Sequence, residues 1–233
     1  MKYMNKKTVY ASIAMAMIVG FGLRVSQAHA ATEFMTSWQT QTFVPAWYGG
    51  KAFPTYQSPI RIGFELVEDG KIVDLSKTAV RWYVDGKLLK NETNGLGIKQ
   101  ITVFNKKYGG DVSSIKISLP DYKGGVLEKL FDIPIKTPEV VIDVPYFQKK
   151  VERGSNTLYA WPFFFNATSA GSLNLRWTVD GNELQSGNAN TPTLLYTVGN
   201  DIGSGARSTI EALVINQKKS FENISQKVFV ETK

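Results

Sequence analysis

The chain has no cysteine and a single histidine, His29, among its 233 residues. Without cysteine no disulfide can form, so buried apolar surface must hold the fold together, at roughly 25 cal/mol per Å². His29 lies in a segment that we expect to be removed from the protein. The remaining chain would then have no imidazole for a Ser-His-Asp triad, a His-ligated zinc site or a histidine proton relay, leaving carboxylate, lysine and tyrosine chemistry.

The sequence also lacks any run of five like charges. It has 27 Lys and Arg residues against 20 Asp and Glu, but four of the basic residues lie in the first 30 positions, so the rest carries a net charge of +3. A mildly basic, mixed surface of this kind does not indicate binding to nucleic acid or to another dense polyanion.

Residues 1–30 have the pattern of a secretory signal. Lys2, Lys6 and Lys7 precede an apolar run over residues 9–23, and Ala28-His29-Ala30 supplies small residues where a signal peptidase cleaves. We predict cleavage after residue 30 and an exported protein that is periplasmic, surface-bound or secreted. A retained anchor is the alternative, but the run of 15 apolar residues is shorter than the roughly 20 needed to cross a bilayer.

An internal repeat indicates the architecture of the remaining chain. Arg81–Leu89 (RWYVDGKLL) recurs 95 positions later as Arg176–Leu184 (RWTVDGNEL). Two similar copies at this separation predict tandem modules of about 100 residues, the size of a small β-sandwich. We therefore expect an all-β chain of two tandem Ig-like antiparallel sandwiches, over residues 31–137 and 138–233, which meet near Pro138.

Strand and turn signals support this reading. Ile60–Leu66 alternates apolar and polar residues, as a half-buried strand does. Asp85-Gly86 and Asp180-Gly181 predict two-residue type I′ hairpin turns, which require positive φ at both positions. No amphipathic helical pattern occurs beyond residue 30.

The matched tryptophans Trp82 and Trp177 stand in the repeated segment, just before its turn. We interpret both as core residues that join two sheets, the alternative being stacking platforms for a sugar or a base.

Acidic residues give little indication of a metal site or of catalysis. Asp69, Asp85 and Asp180 each precede a glycine, which hairpin turns explain better than the six to eight oxygens of a calcium site. Glu65 lies on the polar face of a predicted strand, toward water. We expect no catalytic residues, no metal and no cofactor.

Aromatic residues form the candidate binding set, and several lie among prolines and glycines between residues 31 and 57, a segment that we call the leader. The set comprises Trp38, Trp47, Tyr48, Phe53, Tyr56, Tyr159 and Trp161. Its members either pack over one end of a sandwich or form a surface for a ligand or partner. The run Trp161–Phe165 is apolar on both faces and must be covered, and its Pro162 predicts an edge strand.

The Trp-x-Val-Asp-Gly pattern at Trp82–Gly86 and Trp177–Gly181, with the later alternating strand, resembles bacterial Ig-like and PKD-like extracellular domains. The chain lacks the cysteine pair of antibody-type domains and the Gly-Asp-Gly of PKD domains. Phe43–Pro54 also resembles a segment of exported proteins of the candidate-phyla (Patescibacteria) bacteria. This second resemblance implies a surface or periplasmic location and no known reaction.

These observations lead to three hypotheses. The first is a non-catalytic exported module that contacts an envelope or surface protein, in a pilus-associated or adhesive role, through the leader and the edge at Tyr159–Phe165. The second is a carbohydrate-binding module that recognises cell-wall or surface glycan by aromatic stacking. The third and least favoured is a carboxylate-based hydrolase. None involves nucleic acid or, once the signal is cleaved, a transmembrane segment.

Overall fold

The computed structural model describes residues 32–89, 95–184 and 192–233, so the predicted signal over residues 1–30 lies outside the described residues. Regular structure in these ranges is entirely β apart from two short 3₁₀ turns, Phe147–Lys149 and Ala170–Ser172. The predicted all-β class is confirmed. Within the described ranges no helix has the length and apolar character that spanning a membrane would require.

Eight strands come from the first half of the chain and form two sheets. In chain order they are β1 (Thr32–Thr40), β2 (Pro59–Glu68), β3 (Lys71–Ile72), β4 (Arg81–Val84), β5 (Lys87–Leu88), β6 (Gln100–Phe104), β7 (Val112–Tyr122) and β8 (Gly125–Pro134). Sheet 1 has the order β1-β2-β3, with β6 also paired to β2, and sheet 2 has the order β5-β4-β7-β8.

Eight further strands come from the second half and form two more sheets. They are β9 (Glu139–Asp143), β10 (Lys150–Val151), β11 (Gly154–Phe163), β12 (Leu173–Val179), β13 (Asn182–Glu183), β14 (Thr193–Val198), β15 (Arg207–Asn216) and β16 (Asn223–Thr232). Sheet 3 has the order β14-β11-β9, and sheet 4 has the order β10-β16-β15-β12-β13. The β10–β16 pair is parallel.

The order of the strands identifies the sandwich type. In sheets 3 and 4 the chain places β9, β11 and β14 in one sheet and β12, β15 and β16 in the other, which is how an Ig-like fold distributes its A, B, E and C, F, G strands. Sheets 1 and 2 follow the same scheme with β1, β2, β6 and β4, β7, β8. The Ig-like character therefore follows from the connections between strands.

Contacts divide the chain into two compact units. The smaller unit contains, among described residues, 32–33 and 66–73, where β3 pairs with Val67 and Glu68. The larger unit contains residues 34–65 and 74–233. The module boundary predicted at residues 137 and 138 lies inside the larger unit and stays a prediction.

The two repeated segments have the same local geometry. Asp85 and Gly86 have φ values of 50° and 76°, and Asp180 and Gly181 have values of 48° and 83°, as type I′ turns require. The Asp85 carboxylate accepts the backbone N–H of Ser114 at 2.9 Å, and the Asp180 carboxylate accepts that of Thr209 at 2.7 Å. A backbone polar group beyond each turn is thereby satisfied in the same way.

Both repeated tryptophans are buried, with Trp82 2% and Trp177 3% exposed. The Trp82 ring in sheet 2 lies 5.6 Å from the ring of Phe64 in sheet 1. Trp177 belongs to a core that joins sheets 3 and 4, together with residues such as Leu158, Ile210 and Val228. In each pair of sheets the indole fills space between the layers.

The prediction that Pro162 marks an edge strand is wrong. Strand β11 is the middle strand of sheet 3, and Pro162 pairs with Val140 of β9. The register with β14 ends earlier, where Tyr159 pairs with Thr193. A proline is tolerated there because the strand has, locally, only one paired side.

Candidate binding site

The leader packs its aromatic side chains onto β11. The Trp47 ring lies 5.3 Å from that of Trp161 and 6.0 Å from that of Phe163, and the Tyr48 ring lies 5.3 Å from Phe163, all edge-on. Such edge-to-face pairs each contribute about 0.5–1.5 kcal/mol beyond their buried area. The apolar run at the end of β11 is therefore covered largely by the chain itself.

Further ring contacts extend this cluster at both of its ends. Phe53 lies 5.6 Å from Phe164, and Trp38 lies 5.9 Å from Phe53. At the other end Tyr159 and Trp161 are stacked at 5.6 Å with planes 9° apart. We call this connected set the aromatic strip: Trp38, Phe53, Phe164, Tyr48, Phe163, Trp47, Trp161 and Tyr159.

Two lysines lie over rings at the Trp38 end of the strip. Lys51 Nζ is 3.4 Å from the centre of the Trp38 ring, and Lys136 Nζ is 5.6 Å from that of Phe53. Cation–π contacts at exposed positions contribute about 0.5–1 kcal/mol. Partial burial also lowers the pKa of Lys51.

Backbone hydrogen bonds attach the leader to the two residues that follow β11. Phe43 N–H donates to the Phe165 carbonyl and Phe164 N–H donates to the Phe43 carbonyl, both at 2.7 Å. Phe164 itself has φ of 60°, a left-handed conformation that is rare for a bulky residue. This bend lets Phe163, Phe164 and Phe165 all be buried, and the pairing with Phe43 holds it in place.

Tyr56 is the predicted binding residue that the strip does not include. Its ring stacks on Tyr108 at 4.5 Å with planes 8° apart, and it lies 6.2 Å from Phe221. Tyr108 and Phe221 are both exposed. Hydrogen bonding to Tyr56 raises the pKa of Tyr108.

A buried carboxylate anchors the leader near Tyr56. Glu222 accepts the backbone N–H of Asn166 at 2.9 and 3.0 Å and the Asn216 amide at 2.6 Å. The Asn166 amide in turn donates to the Tyr56 carbonyl at 3.4 Å. Hydrogen bonds to both oxygens offset the desolvation of the charge.

An apolar cavity of about 330 Å³ opens beside Trp47. Exposed or half-buried parts of its wall come from Trp47, Trp161 and Ala170, and its buried wall includes Leu173, Leu175 and Val214. The leader and both sheets of the sandwich thus contribute to one cavity.

Carboxyl groups with shifted pKa values do not have the properties of a general acid. Backbone and side-chain hydrogen bonds from Ser76 lower the pKa of Asp74, and hydrogen bonds from Ser118 and Lys116 lower that of Glu128. Lys150 likewise lowers the pKa of Glu231. In the described ranges no three His, Cys, Asp or Glu side chains group in a way that would hold a metal ion.

The predicted set therefore separates into six residues that the structure brings together and one, Tyr56, that it does not. Phe163 and Phe164 belong to the strip but were not in the set, and neither were Tyr108 and Phe221. The doubly apolar run at Trp161–Phe165 could have indicated the first two. Nothing in the local sequence of Tyr108 or Phe221 indicates that they meet Tyr56.

No protein-family model matches the chain, and no curated protein matches it. Among solved structures, the three N-terminal domains of the outer capsid protein Hoc of bacteriophage RB49 are 12% identical, over 87% of this chain and 59% of that one, with a TM-score of 0.46. The fibronectin(III)-like modules of Clostridium thermocellum CbhA are 14% identical, over 85% and 95%, with a TM-score of 0.28.

A third similar structure is Bacteroides ovatus SGBP-B of a mixed-linkage glucan utilization locus, in complex with a mixed-linkage heptasaccharide. It is 14% identical over 84% of this chain and 47% of that one, with a TM-score of 0.25. This chain thus spans less than two thirds of the first and third of these structures.

Proposed function

We propose that the chain is a non-catalytic exported protein that binds an envelope or surface protein through the aromatic strip. The observation that carries the proposal is the position of Trp47. Its side chain is 59% exposed, yet its ring is held against two others, Trp161 and Phe163. A large apolar side chain is thus presented to solvent in one orientation.

This arrangement suits a binding anchor. Tryptophan and tyrosine are enriched among the residues that dominate binding energy, and an anchor that is already ordered loses less conformational entropy when a partner binds. The turn that carries Trp47 is closed by a hydrogen bond from Tyr48 N–H to the Pro45 carbonyl at 2.9 Å. Export after cleavage at residue 30 is part of the proposal, and N-terminal sequencing of the released protein, which should begin at Ala31, tests it.

The double variant Trp47→Ala with Tyr48→Ala tests the site. We expect it to weaken binding to native envelope extract at least tenfold, because a central aromatic anchor contributes about 2 kcal/mol or more. The measurement is a quantitative pull-down of each variant at matched circular dichroism. Phe147→Ala is the control, since Phe147 is 80% exposed and lies outside the strip. Unchanged binding by the double variant would show that the site is wrong.

Glycan binding is the second candidate, and the stacked pair Tyr159 and Trp161 favours it. The outer face of this stacked pair is a flat surface of the kind on which a sugar ring can stack. A glycan array and a peptidoglycan pull-down separate the two candidates. Glycan binding requires Tyr159→Ala to abolish retention on a defined glycan, whereas protein binding requires retention on envelope protein after the glycans are removed.

A further inference from the structure

The cavity beside Trp47 opens at a gap in the hydrogen bonding of β11. Ala160 N–H donates to the Pro192 carbonyl, and Phe164 N–H donates to the Phe43 carbonyl, both at 2.7 Å. Pro162 lies between these two donors and has no N–H. Phe43, Pro162 and Pro192 all line the cavity. The strand therefore offers no backbone donor at the place where the cavity meets it.

The rest of the wall has little polar character. Pro45 is a third lining proline, and the other lining side chains are aliphatic or aromatic, so the indole N–H groups of Trp47 and Trp161 are the polar side-chain atoms among them. A sugar hydroxyl or a peptide group left without a partner there would lose about 1–3 kcal/mol. Cavities lined by apolar side chains take up apolar molecules.

From this lining we infer that the cavity binds a linear hydrocarbon chain, such as that of a fatty acid or another alkyl amphiphile. The chain passes Trp47 and Trp161 and lies against Leu173, Leu175 and Val214, and its head group stays in solvent. The volume of about 330 Å³ lies within the range of about 300–1,000 Å³ found for small-molecule sites. The inference does not require the protein partner proposed for the strip.

The direct test is a titration of the purified protein with hexanoate, octanoate and decanoate below their micelle concentrations. Tryptophan fluorescence and calorimetry report binding, since Trp47 and Trp161 line the cavity. We expect saturation at one site and an affinity that rises about fourfold with each added methylene until the cavity is full. Decanol should bind within a few-fold of decanoate, because no charged side chain lines the cavity, and glucose should not bind.

A matched pair of variants locates the site. Ala170 lines the cavity and is exposed, so Ala170→Leu should fill part of it without disturbing the core, and should weaken decanoate binding about tenfold. Ala206→Leu makes the same change at an exposed alanine outside the cavity and should bind as the unchanged protein does. Ala46→Leu is a second filling variant.

Three results would overturn the inference: no saturable uptake of decanoate, an affinity independent of chain length, or unaltered binding by both filling variants. The titration measures fatty-acid binding to the purified protein, without an envelope partner. Its failure therefore leaves the pull-down result standing, and failure of the pull-down leaves the titration standing.

Discussion

The two repeated tryptophans occupy equivalent places and differ in one hydrogen bond. The Trp82 indole N–H donates to the Ile98 carbonyl at 2.8 Å. The Trp177 indole N–H is buried and has no partner among the described residues. In both segments the residue after the return strand closes the hairpin alike, Leu89 donating to the Trp82 carbonyl and Leu184 to the Trp177 carbonyl, each at 2.9 Å.

This difference in hydrogen bonding shows which structural features recur when a sequence segment is repeated and which do not. Turn geometry depends on the Asp-Gly pair alone, and burial of the indole depends on the alternation of the strand, so both recur. The acceptor for Trp82 comes from a separate loop, which Gly97 N–H ties to the Thr78 carbonyl at 2.9 Å. A buried donor without a partner costs about 1–3 kcal/mol, so among the described residues the second segment is the less well satisfied of the two.

Removing each indole tests the burial that the two segments share, and it should have the largest effect on stability. Trp82→Ala and Trp177→Ala should each lower the free energy of unfolding by about 3–5 kcal/mol, since each leaves a cavity between two sheets. Urea unfolding followed by circular dichroism measures the loss. Trp47→Ala, at an exposed position, should cost far less. A negligible loss for only one of the buried pair would show that the segments are not structurally equivalent.

Replacing each tryptophan with phenylalanine tests the indole hydrogen bond, which among the described residues Trp82 makes and Trp177 does not. Trp82→Phe leaves the Ile98 carbonyl without its donor, whereas Trp177→Phe removes an N–H that has no described partner. Trp82→Phe should therefore destabilise the protein by about 1–3 kcal/mol more than Trp177→Phe. The two variants serve as controls for each other because the loss of ring volume is the same. Equal losses in urea unfolding would contradict the assignment.

The smallest expected effect on stability concerns the two turn aspartates, Asp85 and Asp180. Lys107 Nζ lies 2.7 Å from Asp85, while the described residues place no cation in an ion pair with Asp180. Partial burial raises the pKa of Asp85, but hydrogen bonds from Lys107 and Ser114 outweigh it and hold that pKa below its ordinary value. A lowered folded-state pKa means stabilisation that is present above the unfolded value of about 3.9 and lost as the pH falls through the folded value.

Asp85→Asn keeps a residue that tolerates positive φ and removes the charge. At pH 6 the unchanged protein should be more stable than this variant by no more than about 1 kcal/mol, because the pair is partly exposed. The difference in unfolding free energy should shrink as the pH falls below about 3.9 and through the folded value, and it should also shrink in 1 M salt. Asp180→Asn is the matched control and should show no salt dependence. If the difference for Asp85→Asn grew as the pH fell, the lowered folded-state pKa of Asp85 would be contradicted.

Sequence patterns were informative where structure depends on neighbours in the chain. Ile60–Leu66 lies within strand β2, and the Asp-Gly pairs form the turns that their residue types require. The edge assignment of Pro162 was wrong because pairing depends on β9, which lies in a different part of the chain, and on where β14 ends. A proline in the sequence shows that one residue lacks an N–H donor. It does not show whether the whole strand lies at the edge or in the middle of its sheet.

The candidate site shows the same division. Composition marked the leader as an aromatic segment and the apolar run at Trp161–Phe165 as one that must be covered. Six of the predicted residues lie in one strip where Phe43 pairs with Phe165, just beyond the end of β11. Tyr56 lies next to them in sequence and yet stacks on Tyr108 instead. The cavity could not be predicted at all, because its wall joins residues from the leader, β11, β12 and β15.

By itself, therefore, the sequence determined the β class, the repeated turn and the burial of the paired tryptophans, since alternation and turn chemistry act over a few residues. Only the tertiary structure decided which aromatic rings touch, which indole finds an acceptor and where an apolar cavity remains. Those outcomes depend on how distant segments fit together, and close packing over such distances is set by the shapes of all the neighbours at once.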